Sequence, residues 1–516
     1  MRTFLFRCPT GLVALALVGP LFAAELPPDL DAFIEKGMEE WKLPGLAIAV
    51  VKDGRPILVK GYGVREAGKP GKVDGETLFA IGSTTKAFTA TAMGMLVDRG
   101  RIRWNTRVQE IDPGLELSDP WVTEEIRISD LLANHSGLDA MGDSLWYGTG
   151  FSREEILERL KRVPFSEGFR YQYQYRNVMF LLAGMMIPKI ADGRTWDDFL
   201  TKEMFEPLGM TRTWATDAGL EGQDNIARPH ILDYEGAPVA IDYRDMHNIG
   251  PAGSIVSCAK DLVPWLKVNL GANGDLPLVS AETLRVLHSA HTPMWTVSAE
   301  GEARASPYPL NSYCLGWVTQ LYDGHCLVWH NGNIDGMSAY VALLPEIGLG
   351  VAILTNLDDC EFRTVVFDRI ARHFLGGKGP EPGDALLKRF RDHLAERSAV
   401  ESHWQELAGK SQPAALPLAD YAGDYENPVL GRVTVEVDGA RLRYARRGGQ
   451  TVDLAVGKAD TNTFLGRQTN ANEDLRTGKV RVEFEVGDGV VERLVDYGDG
   501  IPIRFQRVAP AAAPAR

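Results

Sequence analysis

Three short patterns of chemically reactive residues occur in order along the first two thirds of the chain. They are an S-x-x-K, a Y-x-N and an H-x-G pattern, formed in turn by Ser83 and Lys86, Tyr175 and Asn177, and His330 and Gly332. A serine hydroxyl is a weak nucleophile until a neighbouring base accepts its proton. A lysine amine whose pKa is lowered by burial can be that base. The first pattern therefore predicts acyl transfer through a serine.

Each pattern also occurs a second time, so the surrounding sequence has to distinguish the copies. The second copies begin at Ser257, Tyr425 and His135. Ser83 follows the apolar stretch LFAIG and opens a segment, 83–98, whose apolar residues recur at helical spacing. Because this predicted helix is so apolar, we expect Lys86 to be buried. The alternative is that Ser83 only caps the helix and that Lys86 is exposed to solvent. We expect Ser257 only to cap an ordinary helix.

The other two patterns lie at the edges of predicted elements. Tyr175 precedes an apolar helix predicted over 178–190, and a cation such as Lys86 would help a phenol to act as a base. The alternative is that the run YQYQY forms the aromatic face of a strand. His330 follows a strand-like run, and Gly332 permits the close backbone approach that an oxyanion-binding strand needs. A purely structural histidine is the alternative.

Together and in this order, the patterns resemble the serine β-lactamase/penicillin-binding-protein superfamily, specifically its class C-like branch of esterases and D-amino-acid peptidases. The stretches LLANHSGL, EPLGMTRT and PAGSIVS are also similar to that branch. The resemblance covers roughly 30–375. It implies an α+β fold in which an antiparallel sheet is flanked by helices, as in β-lactamases and transpeptidases. The alternation of strand-like and helix-like stretches favours the same class, with both ends of the domain in one sheet.

The resemblance also implies a role for each residue of the patterns. Ser83 would be the acylated nucleophile and Lys86 its proton acceptor. Tyr175 would be the partner base that relays the proton to the leaving group and activates water. Asn177 would hydrogen-bond Lys86 or the substrate, and the backbone N–H groups of Ser83 and Asn333 would form the oxyanion hole.

His330 is the main departure from the superfamily, because true β-lactamases carry a lysine there in a K-T-G triad. With a reference pKa of ~6.5, a histidine gives an anionic substrate little charge attraction at neutral pH. Esters or peptide-like amides are therefore expected in place of penicillins, with a neutral aryl ester turned over better than a penicillin. We also expect His330→Lys to shift this preference towards the β-lactam.

Composition shifts divide the chain into segments. We predict a signal peptide at 1–24, the hydrolase domain at 25–375, a linker and helix at 376–412, a small all-β domain at 413–508 and a tail at 509–516. The all-β domain shows period-two alternation and is expected to be a barrel or sandwich. All three reactive patterns lie before this domain in the chain, so we expect it to support the first domain without carrying a catalytic group.

The whole chain has 516 residues and a net charge of −14, which argues against binding to nucleic acid. The leader predicts a periplasmic or secreted protein with no stable membrane span after its removal. We expect no metal and no cofactor, because the cysteine spacing fits no zinc template. A Cys314–Cys326 bridge and buried free thiols are both compatible with the sequence, and the oligomeric state is open.

Other functions share part of this signature. A penicillin-recognising sensor would be acylated at Ser83 without turnover, and a weak β-lactamase would use the same residues. The G-x-S-x-G elbow of α/β-hydrolases is absent; its nearest match, 336–340, lacks the last glycine. The expected partner is therefore a small-molecule ester, amide or peptide substrate.

Overall fold

The computed structural model describes most of the chain. The described residues are 25–166, 168–274, 276–294, 296–297, 303–304, 310–377, 383–408, 413–446, 448–470, 474–475, 479–498 and 502–509. The predicted signal peptide, most of the Gly-Pro linker and nearly all of the predicted tail lie outside them. Among the described residues, no helix is both long and apolar enough to cross a membrane.

The first domain contains a mixture of long and very short strands. They are β1 (Gly45–Lys52), β2 (Arg55–Gly63), β3 (Phe79–Ala80), β4 (His230–Leu232), β5 (Pro238–Ala240), β6 (Val256–Ser257), β7 (Thr292–Pro293), β8 (Thr296–Val297), β9 (Ala303–Arg304), β10 (Ser312–Tyr313), β11 (Val318–Tyr322), β12 (His325–Ile334), β13 (Met337–Leu344) and β14 (Leu349–Thr355). Eight of these described strands form one antiparallel sheet in the order β2-β1-β14-β13-β12-β11-β10-β7. The first and last strands of this domain, β1 and β14, pair within it, so the prediction that both ends of the domain lie in one sheet is confirmed.

Most of the helices pack on the two faces of this sheet or connect its strands, whereas the last one, just before the C-terminal barrel, packs its buried tyrosine into the barrel core. They are α1 (Leu30–Glu40), α2 (Thr85–Asp98), α3 (Val108–Ile111), α4 (Pro120–Glu125), α5 (Ile128–Leu132), α6 (Arg153–Leu160), α7 (Asn177–Ile190), α8 (Trp196–Leu200), α9 (Glu206–Leu208), α10 (Gly250–Gly253), α11 (Ala259–Asn269), α12 (Ala281–His288), α13 (Phe362–Leu375), α14 (Gly383–Ala408) and α15 (Leu418–Tyr421). Single 3₁₀ turns lie at Gly82–Thr84, Ala140–Leu145, Asp217–Leu220, His247–Ile249 and Pro345–Ile347, and a π-helical turn at Thr201–Phe205.

The apolar run of β1 is buried on both faces of the sheet, and this explains why it does not alternate with polar residues. Ala47 and Ala49 join the large core that contains α2, α7 and α11. Leu46 and Ile48 join the smaller core beneath α1 and α13. The Asp-Gly turn after β1 has positive φ at both residues, as expected for the predicted hairpin. The predicted α+β fold class is confirmed.

The C-terminal domain is a closed barrel. Its eight described strands are β15 (Gly423–Asn427), β16 (Gly431–Asp438), β17 (Arg441–Ala445), β18 (Thr451–Val456), β19 (Thr463–Gln468), β20 (Val480–Gly487), β21 (Val490–Asp496) and β22 (Ile503–Arg507). Each strand pairs antiparallel with its neighbour in the chain, and β22 closes on β15. Of the two architectures expected from the alternation, the barrel is the observed one.

Candidate active site

Ser83 and Lys86 lie at the start of α2, which is buried on every side. The 3₁₀ turn Gly82–Thr84 carries Ser83 and runs directly into the helix. Lys86 is completely buried, and its Nζ donates hydrogen bonds to Ser83 Oγ at 3.0 Å, Asn177 Oδ1 at 2.7 Å and the Ala252 carbonyl at 2.7 Å. The expected burial of the lysine is observed, and the capped-helix alternative with a solvated lysine does not describe this site.

Burial determines the protonation of Lys86. Loss of hydration lowers its pKa from the usual 10.5 to about 7, while the charge of Asp143 acts in the opposite direction. The Nζ atom also lies 4.7 Å from the ring centre of Tyr175 and 5.4 Å from that of Phe180. A substantial fraction of the amine is therefore neutral at neutral pH, as a proton acceptor for a serine requires.

Tyr175 lies in the irregular segment just before α7, and it is not part of a strand. Burial raises the pKa of its hydroxyl well above 10, and a hydrogen bond shared with Ser83 acts in the opposite direction. The phenol is therefore protonated at neutral pH. This geometry places a protonated Tyr175 beside the nucleophile, and the aromatic-strand alternative does not hold.

Asp143 connects the start of α7 to the lysine, and sequence reasoning missed it. Its Oδ1 accepts hydrogen bonds from the backbone N–H groups of Asn177 at 2.8 Å and Val178 at 3.3 Å, so a partly buried carboxylate caps this helix from a neighbouring turn. Burial raises the pKa of Asp143 to about 6, opposed by the charges of Arg176 and Lys86. Asp143 thereby fixes Asn177 where its side-chain Oδ1 accepts the hydrogen bond from Lys86 Nζ.

The backbone of β12 lies against the serine turn. Pairing of β12 with β11 ends at Trp329, so the following residues present a free edge to the 3₁₀ turn. A Cβ on Gly332 would lie 2.0 Å from the Ile81 carbonyl oxygen and 3.1 Å from the Ser83 nitrogen. Glycine is therefore required there, and the Ser83 and Asn333 backbones meet at one edge as an oxyanion hole needs.

The side chain of Asn333 is held in place. Its Nδ2 donates to Asp359 at 2.9 Å, and its Oδ1 accepts from the buried Arg363 at 2.6 Å. A Cβ on Gly82, whose φ is +51°, would lie 2.9 Å from the Asn333 nitrogen. Gly82 and Gly332 thus both allow β12 to approach the 3₁₀ turn that carries Ser83 closely.

His330 does not line the cavity at Ser83. It is buried, its Nε2 lies 3.1 Å from the Tyr313 hydroxyl, and its Nδ1 lies 2.5 Å from the Asn331 carbonyl. Burial, aided by the charge of Lys86, lowers its pKa to about 3. Strand alternation explains the placement, because Asn331 and Asn333 face the cavity and His330 faces the interior. The expectation that His330 contacts substrate is corrected accordingly.

The cavity that opens onto Ser83 has a volume of about 280 Å³. Its lining residues are Ser83, Trp146, Tyr175, Asn177, Met246, Ile249, Ala252, Gly253, Asn331 and Asn333. The structure thus brings five of the predicted residues together around one opening: the nucleophile, the lysine behind it, the tyrosine and both asparagines. Trp146 and Asn331 were not predicted, although the period of two along β12 indicates that Asn331 shares the face of Asn333.

The second copies of the patterns have ordinary structural roles. The expectation that Ser257 caps a helix is wrong: Ser257 is buried on the short strand β6, where its hydroxyl lies 2.8 Å from that of Thr213, and Cys258 is the residue at the N-cap of α11. Lys260 is exposed and pairs with Glu76. His135 bonds to Asp130 at 2.9 Å. The described cysteines are free thiols, and the Cys314–Cys326 bridge is not formed; Cys326 is exposed and the others are buried.

The fold and the serine–lysine site are those of the serine β-lactamase/penicillin-binding-protein superfamily. The family model Beta-lactamase matches residues 30–373, and the chain belongs to this family. A second model, Domain of unknown function (DUF3471), matches 407–507, which include the barrel.

Several known proteins are similar to this chain. Unguisins hydrolase ungD' of Aspergillus campestris is 28% identical over 493 residues, covering 90% of this chain and 87% of the relative. Protein flp of Staphylococcus aureus is 25% identical over 372 residues, covering 71% and 70%.

Solved structures share the fold. The octameric penicillin-binding protein homologue from Pyrococcus abyssi superposes with a TM-score of 0.59 at 23% identity, covering 93% of this chain and 98% of that one. The D-amino acid amidase from Ochrobactrum anthropi SV3 gives a TM-score of 0.54 at 21% identity, covering 67% and 96%.

Proposed function

We propose that the protein is an exported serine hydrolase that cleaves esters or peptide-like amides through an acyl-serine intermediate. The observation that carries this proposal is the 3.0 Å contact between Ser83 Oγ and the Nζ of a fully buried Lys86. Export rests on the leader at 1–24. Hydrolase activity is supported by the relative named unguisins hydrolase, and activity on amides by the structural neighbour named a D-amino acid amidase.

The hydrogen bonds of Lys86 suit the acylation step. A neutral amine has two N–H groups and one lone pair, and Asn177 and Ala252 accept the two N–H groups. The lone pair is left facing Ser83 Oγ. As Oγ bonds to the substrate carbonyl carbon, its proton passes to Lys86 Nζ and the carbonyl oxygen becomes an oxyanion. The N–H groups of Ser83 and Asn333 stabilise that charge.

Tyr175 completes the proton transfer. Its neutral phenol gives its proton to the leaving nitrogen or oxygen as the bond to the carbonyl carbon breaks, and Lys86 returns the serine proton to the phenolate. In deacylation the same groups act in reverse: water loses a proton to the Tyr175/Lys86 pair while its oxygen attacks the acyl carbon, and Ser83 recovers its proton. Every proton taken up is released, and no redox partner is needed.

A fluorophosphonate probe with peptide mapping tests this proposal. We expect the label on Ser83, its loss in Ser83→Ala, and its retention in Ser257→Ala, since Ser257 is buried on a strand and its hydroxyl bonds to Thr213. Turnover of an aryl ester by the wild-type chain then supports a hydrolase over a sensor. A label on another serine, or labelling of Ser83 without any turnover, would overturn the assignment. Sequencing of the exported chain's N-terminus tests removal of the leader.

A further inference from the structure

Two further cavities adjoin the one at Ser83, and Trp146 lines all three. One, of about 340 Å³, lies between the turn that carries Asp143 and the C-terminal barrel. It is called the barrel chamber below. The other, of about 500 Å³, is lined in part by the segment 241–248.

The barrel chamber begins one side chain away from the catalytic lysine. Asn177 lines both the chamber and the Ser83 cavity, and its Oδ1 accepts the hydrogen bond from Lys86. Asp143, which caps α7 and influences Lys86, lies in the same wall. A molecule whose reacting carbonyl sits at Ser83 therefore has room to extend towards the barrel.

The far wall of the chamber belongs entirely to the barrel. Leu430, Val433, Ile503 and Phe505 are its apolar members, and its polar members are Arg432, Arg446, Gln450 and Asp496. Apolar side chains combined with a few polar groups, in a volume of about 300–1,000 Å³, are typical of a small-molecule site.

The barrel wall is fixed in place by tight backbone contact with the first domain. Gly448 has φ +89°, and a Cβ there would lie 2.1 Å from the Gly148 carbonyl oxygen. A Cβ on Gly148 would in turn lie 2.3 Å from Nε2 of Gln450. Arg159 of α6 donates to the Val429 carbonyl at 2.5 Å and adds a second tie. The segment that carries Trp146 and the barrel loop thus pack as one unit.

We propose that the barrel chamber is a specificity subsite for the body of a peptide-sized substrate, whose scissile ester or amide lies at Ser83. This inference rests on the proposed function. The 280 Å³ cavity at Ser83 suits a short acyl group, whereas an apolar peptide side chain would fill the chamber beyond Asn177. The barrel would then select substrates without taking part in the chemistry.

Blocking the chamber from either wall tests the subsite. Gln450→Trp fills it from the barrel, and Ser144→Trp fills it from the first domain, where Ser144 lines the same chamber. Val437→Trp is the size-matched control, because Val437 is exposed on β16 and is not part of the lining. The substrates are p-nitrophenyl acetate, N-acetylated tripeptide p-nitrophenyl esters, and peptide amides extended on the leaving-group side.

The measured quantity is kcat/KM for an extended substrate divided by kcat/KM for the acetate. We expect both chamber variants to lower this ratio at least tenfold for one of the two extended series, and Val437→Trp to keep it within twofold. An unchanged ratio in both variants, an equal fall for the control, or no turnover of extended substrates by the wild type overturns the subsite. Fluorophosphonate labelling of Ser83 in each variant separates this failure from failure of the proposed function.

Discussion

Oδ1 of Asn177 lies 2.7 Å from Nζ of Lys86, and this contact joins the first turns of two helices 91 residues apart in the chain. The asparagine is held from behind by Asp143, which accepts its backbone N–H. The lysine is therefore positioned by a helix start that is itself capped by a partly buried acid. This arrangement links the protonation of Lys86 to a residue outside the three sequence patterns.

The two S-x-x-K lysines give a direct comparison. Lys86→Ala should lower kcat/KM for an aryl ester by at least about 10³-fold, because the serine loses its proton acceptor. Lys260→Ala should keep kcat/KM within twofold of the wild-type value, since Lys260 is exposed and forms a surface ion pair with Glu76. Steady-state kinetics on both purified variants checks this, and equal losses in the two would contradict it.

Asp143→Asn should move the acidic limb of the pH profile of kcat/KM to lower pH. The ionised Asp143 raises the pKa of Lys86, so removing its charge lowers that pKa and leaves the amine neutral at lower pH. Asp119→Asn is the control, because Asp119 caps α4 in the same manner. If the acidic limb of the pH profile does not move in Asp143→Asn, or moves equally in both variants, Asp143 does not act through Lys86.

Tyr175→Phe should lower kcat by about 10²–10⁴-fold, the range of a positioned acid–base group, with little change in the melting temperature. The wild-type profile should show no alkaline limb from this residue below pH 10, because burial raises its pKa well above that value. Tyr171→Phe, which changes an exposed tyrosine in the same segment, should leave kcat unchanged. A kcat for Tyr175→Phe within threefold of wild type would remove the tyrosine from the mechanism.

His330→Lys should not favour penicillin over a neutral aryl ester. The new amine would be buried where the charge of Lys86 already disfavours a cation, so it would either lose its proton or destabilise the fold. Thermal unfolding and kcat/KM for both substrates measure the two effects. A stable variant with a raised penicillin-to-ester ratio would instead place residue 330 at the substrate, as the sequence alone suggested.

The sequence predicts those parts of the site whose residues are close together in the chain. Ser83 and Lys86 are one helical turn apart, and the apolar residues around them already indicate a buried lysine. The hairpin at Asp53 and the closing strand of the sheet follow from turn chemistry and from apolar runs.

What the sequence could not show depends on contacts between distant segments. Asp143 carries no local pattern, because it caps a helix that starts 34 residues later in the chain. The inward direction of His330 follows only once Asn333 fixes which face of β12 meets the cavity. The barrel chamber needs two domains to be docked, so neither domain's sequence pattern contains it.

The pH dependence of Ser83 labelling tests the central claim most directly. The rate of reaction with a fluorophosphonate, followed by mass spectrometry of the peptide that contains Ser83, should rise with pH and level off above an apparent pKa of about 7, the value for buried Lys86. At pH 5 the rate should be about 100-fold below the plateau, because the amine is then almost fully protonated. A rate that rises only near pH 10, or the same profile in Lys86→Ala, would contradict the account.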